Sequence, residues 1–427
     1  MIERIRIENF KALKNIELDF RKVNILFGPN NAGKSSVLQA MAFLAQQKGD
    51  RVIFDGDFVK LGSFKGTIFK KEINRTMKIE LTLKLREEEY QRIKKEIEKT
   101  AYEKFDFSSI KVSASVCFNE ESKKEGASIS FYSNDGELIS ERTYQGDSRY
   151  QLRYNQKVNA EEFEAGNVPT FFGWNAHSYG VPKGTEYCAT ICDVMKEIVA
   201  KRISNQIFYF APFRVVSVRK EDIHSKPERV KPNGKYSLAL LFYTKEKQEL
   251  QFKKIVRWIK EFNVADLRAE FLEGSETEAS FKDEKLLVSL DPTEIGFGSN
   301  QLFPIIVQSF SCPPGSIIMV DEPEISLHPG SQVKLPHLFS EIVEEEKQII
   351  ITTHSEFLPL ALGKAMKEGG LKREEVVLYE LVKGEEGTEK RELKLDEKGR
   401  IIGWIPEFRK VEDELYEEWS ISLPEEE

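Results

Sequence analysis

The chain has 427 residues, 40% of them hydrophobic, enough for two or three domains or one large domain with an insertion. A net charge of −8 excludes a globally basic nucleic-acid binder, and no apolar run approaches the ~20 residues that span a bilayer. Four cysteines, Cys117, Cys188, Cys192 and Cys312, lack zinc or redox spacing and read as buried or inert thiols, so a cytoplasmic protein with no membrane partner is expected.

The opening "MIERIRIENF" alternates apolar and charged residues and reads as a strand, not a signal peptide. Ile16, Leu18 and Phe20 mark a second strand, and Val23, Ile25, Leu26 and Phe27 a short one buried on both faces. The chain then runs through "GPNNAGKSS", which fits G-x-x-x-x-G-K-[ST] at Gly28, Gly33, Lys34 and Ser35. Val37, Leu38, Met41 and Leu44 share the apolar face of the helix that follows. A glycine turn between a buried strand and a helix N-terminus forms an anion nest, so the segment Gly28, Pro29, Asn30, Asn31, Ala32, Gly33, Lys34, Ser35 and Ser36 is read as a phosphate cradle for ATP. Lys34 is expected on the β- and γ-phosphates, with a catalytic role there, and the Ser35 hydroxyl on Mg²⁺.

Farther along, "MKIELTLKL" places Met77, Ile79, Leu81, Leu83 and Leu85 on one strand face. Residues 86–104 read as a charged surface helix about 30 Å long. Strands are expected at "KVSASVCF" and "ASISFYS", loops and short elements over 133–190, a helix over 190–204 and a strand in "QIFYFAPFRVVSV". Residues 218–236 read as an exposed loop and 246–264 as a helix. Basic clusters at 214–235 and in "KKIVRWIK" suit nucleic acid, although a solvated surface explains such runs more often.

Strand and helix then alternate: "KLLVSL", a glycine-led helix in "GSNQLFPIIVQSF", the buried strand of "GSIIMVDEPE", a helix in "SQVKLPHLFSEIVEEE" and the buried strand of "QIIITTHS". Short apolar strands separated by helices predict a parallel sheet covered on both faces. Asp321 closes its strand as the expected Mg²⁺ ligand, and Glu322 beside it is suited to orient and deprotonate an attacking water. His354 closes the next strand at the same edge, where it could donate to a γ-phosphate oxygen; His177, His224 and His337 are discounted as isolated histidines. The predicted class is α/β, a P-loop NTPase with a mixed sheet. Its head is split between residues 1–70 and 285–385 around an α+β insertion at 71–284, and a C-terminal extension with an acidic tail covers 386–427.

In this order, "FGPNNAGKSS", "IIMVDEPEISLHP" and "IIITTHS" resemble the ABC-type ATPase heads of the SMC, RecF and OLD families, and "IRIENFKAL" resembles their first strand. "DEPEISLHP" is similar to OLD-like AAA ATPases, among which are subunits of anti-phage systems. The resemblance implies two heads sandwiching ATP in a homodimer or higher oligomer, with each head lending a signature helix to its partner's site. Here that helix is "GFGSNQLFPIIVQ", with Gly298 and Ser299 at its start, worded differently from LSGGQ. Ser326, Leu327 and His328 would form the loop that touches the partner head. "DGDFVKLGSFKG" stands where a Gln-containing loop is expected but holds no glutamine. The chain departs from the SMC branch in lacking long heptads and a zinc hook, and from nuclease-bearing OLD proteins in having no D-x-D cluster after His354. The implied function is an ATP switch linked to DNA or RNA, in anti-phage defence or DNA repair, working with a separate effector. Alternatives are an ATP-binding scaffold that holds an effector with little turnover, a transporter ATPase subunit and a small-molecule kinase.

Overall fold

The computed structural model describes residues 1–47, 52–98, 101–119, 123–144, 150–154, 163–165, 186–216, 218–222, 225–262, 266–271, 276–282 and 288–402. Its first nine strands are β1 (Ile2–Phe10), β2 (Leu13–Asp19), β3 (Val23–Phe27), β4 (Met77–Lys84), β5 (Ser109–Asn119), β6 (Lys124–Tyr132), β7 (Leu138–Tyr144), β8 (Tyr150–Tyr154) and β9 (Phe163–Ala165). The others are β10 (Ile207–Phe210), β11 (Lys220–Asp222), β12 (Asp266–Phe271), β13 (Glu276–Lys282), β14 (Ser289–Leu290), β15 (Ile317–Asp321), β16 (Gln348–Thr353), β17 (Val376–Gly384) and β18 (Gly387–Leu393).

One sheet runs β2-β1-β4-β5-β6-β7-β8-β9 with antiparallel pairing throughout. A second runs β10-β15-β16-β3-β17-β18, parallel as far as β17 and antiparallel at β18. A small third sheet has the order β11-β13-β12, with β14 on β13. The parallel strands β3, β10, β15 and β16 are buried at every position, as their largely apolar sequences lead one to expect. Alternate residues serve two cores. Ile317, Met319 and Ile350 face one shared with β1, β4 and the helix Lys34–Ala45, while Ile318, Val320, Ile349 and Ile351 face one built with the helices Phe297–Ser311 and Leu335–Glu344. Each such side chain contributes roughly 1.5–3 kcal/mol by its burial. The fold is thus of mixed α/β type, with the helix Lys34–Ala45 that follows the glycine loop packed against β1 as well as β10, β15 and β16.

Several sequence expectations shift. The helix predicted over 86–104 spans only Glu87–Ile97, because its buried stripe of Glu89, Ile93 and Ile97 ends there; Ala101–Lys104 is a separate 3₁₀ turn. The expected loop at 218–236 contains β11, which pairs with β13. The helix expected over 246–264 is present as Glu249–Glu261, and a further helix that was not expected, Ser237–Lys247, precedes it. Strand β10 comes from within the 71–284 stretch and β18 from beyond 385, yet both are hydrogen-bonded into the parallel sheet. Cys117 is exposed, whereas Cys192 and Cys312 are buried. His177, His224 and the acidic stretch 412–427 lie outside the described residues, as does the first half of "KLLVSL", whose last two residues form β14. Among the described residues no helix is long and apolar enough to cross a membrane.

Candidate nucleotide site

The parallel order puts β16 between β3 and β15, so the phosphate loop, Asp321 and His354 all emerge at one sheet edge. Gly28 and Gly33 have φ of +138° and +95°, a region costly to any residue with a Cβ. Space makes the same demand: a methyl on Gly28 would run into the Leu381 carbonyl oxygen, and one on Gly33 would lie 2.5 Å from Thr388 Oγ1. The helix Lys34–Ala45 starts directly after Gly33 with no side-chain cap. Its first N–H groups are therefore free of an intrahelical acceptor and suited to an anion. Lys34 is buried and its Nζ donates to the Gly28 and Pro29 carbonyls at 2.8 and 2.9 Å. Burial lowers the Lys34 pKa against the raising influence of Glu322, Asp321 and Glu324.

Ser35 Oγ donates to Asp321 Oδ1 at 2.9 Å, and Thr352 Oγ1 donates to the same oxygen. Asp321 is fully buried, and its Oδ2 accepts no hydrogen bond among the described residues. Desolvation raises its pKa, although the Thr352 and Ser35 hydroxyls oppose the rise. An orphaned carboxylate oxygen beside a hydroxyl is a hard-oxygen pair of the kind that suits Mg²⁺, so these residues fit the ion. Glu322 follows in a left-handed conformation, φ +53°, with its N–H donating to the Thr352 carbonyl at 3.1 Å. Such a backbone costs on the order of 1–3 kcal/mol and persists only where its surroundings hold it. Glu322 Oε1 lies 3.4 Å from His354 Nε2. Burial, then the Lys34 charge, lowers the His354 pKa, so a neutral imidazole faces the carboxylate at pH 7.

The structure thus brings together Gly28–Ser36, Asp321, Glu322 and His354. Gly298 and Ser299 make other contacts: a methyl on Gly298 would strike the Ser326 carbonyl oxygen, and Ser299 Oγ donates to the Phe262 carbonyl at 3.2 Å. His328 caps the turn Pro329–Gln332 through its Nδ1, and His337 pairs with Glu368. The loop without a glutamine is organised by one from outside it, since Gln46 Oε1 accepts from the Phe58 and Val59 N–H groups at 3.3 and 2.9 Å.

Three contributors escaped the sequence reading. Thr352 ties Asp321 to β16, and the two threonines ahead of His354 in an apolar strand were the available signal. Glu324 is buried; its Oε1 accepts from Thr353 Oγ1 and the His354 N–H, both at 2.7 Å, and burial raises its pKa. Arg214, counted only in a basic cluster, is completely buried behind Asp321 and Glu322. Its signal is its place just after an apolar strand.

Residues 1–358 match the family described as AAA ATPase domain. Over 45 residues the chain is 53% identical to an ATP/GTP phosphatase of Helicobacter pylori, an alignment covering 10% of this chain and 12% of that one. Over 81 residues it is 32% identical to the DNA replication and repair protein RecF of Lactobacillus gasseri, covering 18% and 22%. Over 42 residues it is 50% identical to a DNA double-strand break repair Rad50 ATPase of Methanopyrus kandleri, covering 10% and 5%. The chain therefore spans less than a quarter of the length of each of these relatives. Among solved structures, an Smc head domain with an extended coiled coil, bound to the C-terminal domain of ScpA and derived from Pyrococcus furiosus, matches with a TM-score of 0.47 at 13% identity, covering 97% of this chain and 99% of that one.

Proposed function

From the premise that the chain belongs to the AAA ATPase domain family, we propose that it is an ABC-type switch ATPase that binds and hydrolyses ATP. The observation that carries this reading is the convergence of Glu322 Oε1 and His354 Nε2, 3.4 Å apart, beside the Ser35–Asp321 pair and the uncapped helix after Gly33. Glu322 orients the attacking water and takes its proton, so that hydroxide character develops as the bond to the γ-phosphate forms. His354, neutral at pH 7, donates to a γ-phosphate oxygen, and Lys34 supplies fixed positive charge in the loop. Ser35 and Asp321 would hold Mg²⁺, which neutralises phosphate charge when bound.

Two heads are proposed to close on ATP, with the Gly298–Ser299 turn of each meeting the nucleotide of the other, giving a homodimer or higher oligomer. The names of the RecF and Rad50 relatives support a DNA-linked role. "DEPEISLHP" supports an OLD-like branch acting with a separate effector, in repair or anti-phage defence.

The test is ATP turnover and solution mass of wild type and Glu322→Gln, with and without DNA. The expected result is turnover in wild type, its loss in the variant, and an ATP-trapped dimer of the variant. Turnover that survives the substitution, with a mass indifferent to ATP, overturns the assignment. Negligible wild-type turnover with an ATP-dependent mass favours the scaffold.

A further inference from the structure

Arg214 is the largest side chain that is fully buried among the described residues, and the hydrogen bonds its guanidinium makes there all go to backbone carbonyls. Nε donates to the Gln301 carbonyl at 3.1 Å. Nη1 donates to the carbonyls of Ala211 at 2.8 Å, Pro212 at 3.3 Å and Asp321 at 2.8 Å, and Nη2 to that of Glu322 at 2.9 Å. The hydrogen bonds thus read the positions of three chain segments: the exit of β10, the helix Phe297–Ser311 at Gln301, just past its first turn, and the Asp321–Glu322 peptides. The side chain stays cationic at neutral pH, since burial lowers its pKa only to about 10. A buried charge is costly, and this one is held by neutral carbonyls, with no ion pair to a carboxylate among the described residues. Its geometry, not a charge pair, is what the fold uses.

Two further contacts make the three segments one unit. Asn300 receives the Val216 N–H on its Oδ1 at 2.8 Å and returns a hydrogen bond to the Val216 carbonyl at 3.1 Å, which zips the residues after Arg214 to the helix. Gly298 packs directly on the Ser326 carbonyl, two turns of chain past Glu322. On the other side, the Glu322 N–H is held by Thr352. The left-handed Glu322 backbone is therefore fixed at its amide by β16 and at its carbonyl by Arg214.

We propose that Arg214 is a positioning residue that couples the first turn of the helix Phe297–Ser311 to the Glu322 carboxylate of the same head. The inference rests on the proposed reading, in which Glu322 activates water and the Gly298–Ser299 turn meets the partner's nucleotide. Engagement of that turn by ATP bound to the second head then sets the Glu322 backbone in the first, so each head hydrolyses only once its signature helix is occupied. A lysine cannot substitute, because one ammonium with three donors lacks the planar fork that spans all three segments.

The experiment compares wild type, Arg214→Lys and Lys347→Met. Lys347 is another buried cation, donating to the Ser309 carbonyl at 2.6 Å and to Glu345 at 2.5 Å, away from the reacting groups, and serves as a control for lost stability. Arg214→Lys should lower kcat about 100-fold, leave KM for ATP within about 3-fold, and bring the Hill coefficient for ATP to about 1. Lys347→Met should lower the melting temperature without that split. If Arg214→Lys does not fold, Asn300→Ala frees the strap while leaving the guanidinium, and should lower kcat about 10-fold in the same sense. Wild-type kcat and cooperativity in a folded Arg214→Lys, or an equal kcat loss in Lys347→Met, overturns the coupling alone. A wild type with neither turnover nor ATP-dependent association overturns the proposed function and the coupling together.

Discussion

The two large sheets share the helix Lys34–Ala45, but they treat buried charge in opposite ways. On the antiparallel side, Glu89 in the helix Glu87–Ile97 meets Arg202 directly, with Nε–Oε1 at 2.9 Å and Nη2–Oε2 at 2.5 Å. Burial alone would raise the Glu89 pKa, but the hydrogen bonds from Arg202 and the Arg86 N–H prevail and hold it below the usual range. At the edge of the parallel sheet, Asp321 and Glu324 are buried with raised pKa values, each keeps one oxygen without a hydrogen bond among the described residues, and the nearby Arg214 donates to carbonyls instead. Charges that serve only the fold are paired off within it. Charges left short of partners stand where a ligand is proposed to complete the structure.

The sharpest way to break this comparison is the same substitution on both sides. Gly28→Ala puts a methyl against the Leu381 carbonyl at a φ of +138°. The loop must move, so ATP affinity should fall by at least ~100-fold and turnover should reach background, measured by calorimetry and phosphate release. Gly136→Ala, in the turn between β6 and β7, also meets a positive φ, +84°, but open space. It should cost about 1–2 kcal/mol in urea unfolding and leave turnover per folded molecule unchanged. Equal loss of ATP binding in both variants would remove the distinction between the two regions.

A smaller effect, on stability alone, sharpens the contrast. Arg202→Met strands a buried carboxylate and should cost about 3–5 kcal/mol, whereas the double replacement with Glu89→Met should recover most of it. Denaturant midpoints measure both, and kcat should not follow either. A Glu322-like loss of kcat in Arg202→Met would place this pair in the catalytic machinery and contradict the division.

How much of this was legible in the sequence follows from range. Gly28 and Gly33 set a local backbone turn, and Lys34 and Ser35 follow it at fixed spacing, so a short motif reveals all four. The placement of Asp321, Glu322 and His354 at one end of the sheet was legible because each stands at or just past the end of a largely apolar run that reads as a buried strand. The four-residue strand β10 was read as a strand but left in the insertion, because its partner β15 lies more than a hundred residues away and nothing local encodes that pairing. Arg214 looked like surface charge for the same reason: the five carbonyls that solvate it come from three separate segments. Glu324 stood in plain view in "DEPE", but its task, holding the His354 and Ser355 N–H groups, depends on the neighbouring strand.

The smallest effect is a pair of opposed pH dependences in the protein without nucleotide or metal. A carboxyl whose folded pKa is raised binds more protons folded than unfolded, so its contribution makes stability fall as pH rises from the unfolded value near 4 through the folded one. Asp321 and Glu324 belong to this class. Glu89 is the reverse: its stabilisation is complete above the unfolded value and is lost as pH falls through its depressed folded pKa. Glu324→Gln should therefore flatten the decline above about pH 4, and Glu89→Gln should flatten the loss below it. Melting temperatures across this range read both slopes. Slopes of the same sign for the two variants would mean that the site carboxylates are neutralised within the fold after all, and that no ligand is needed to complete them.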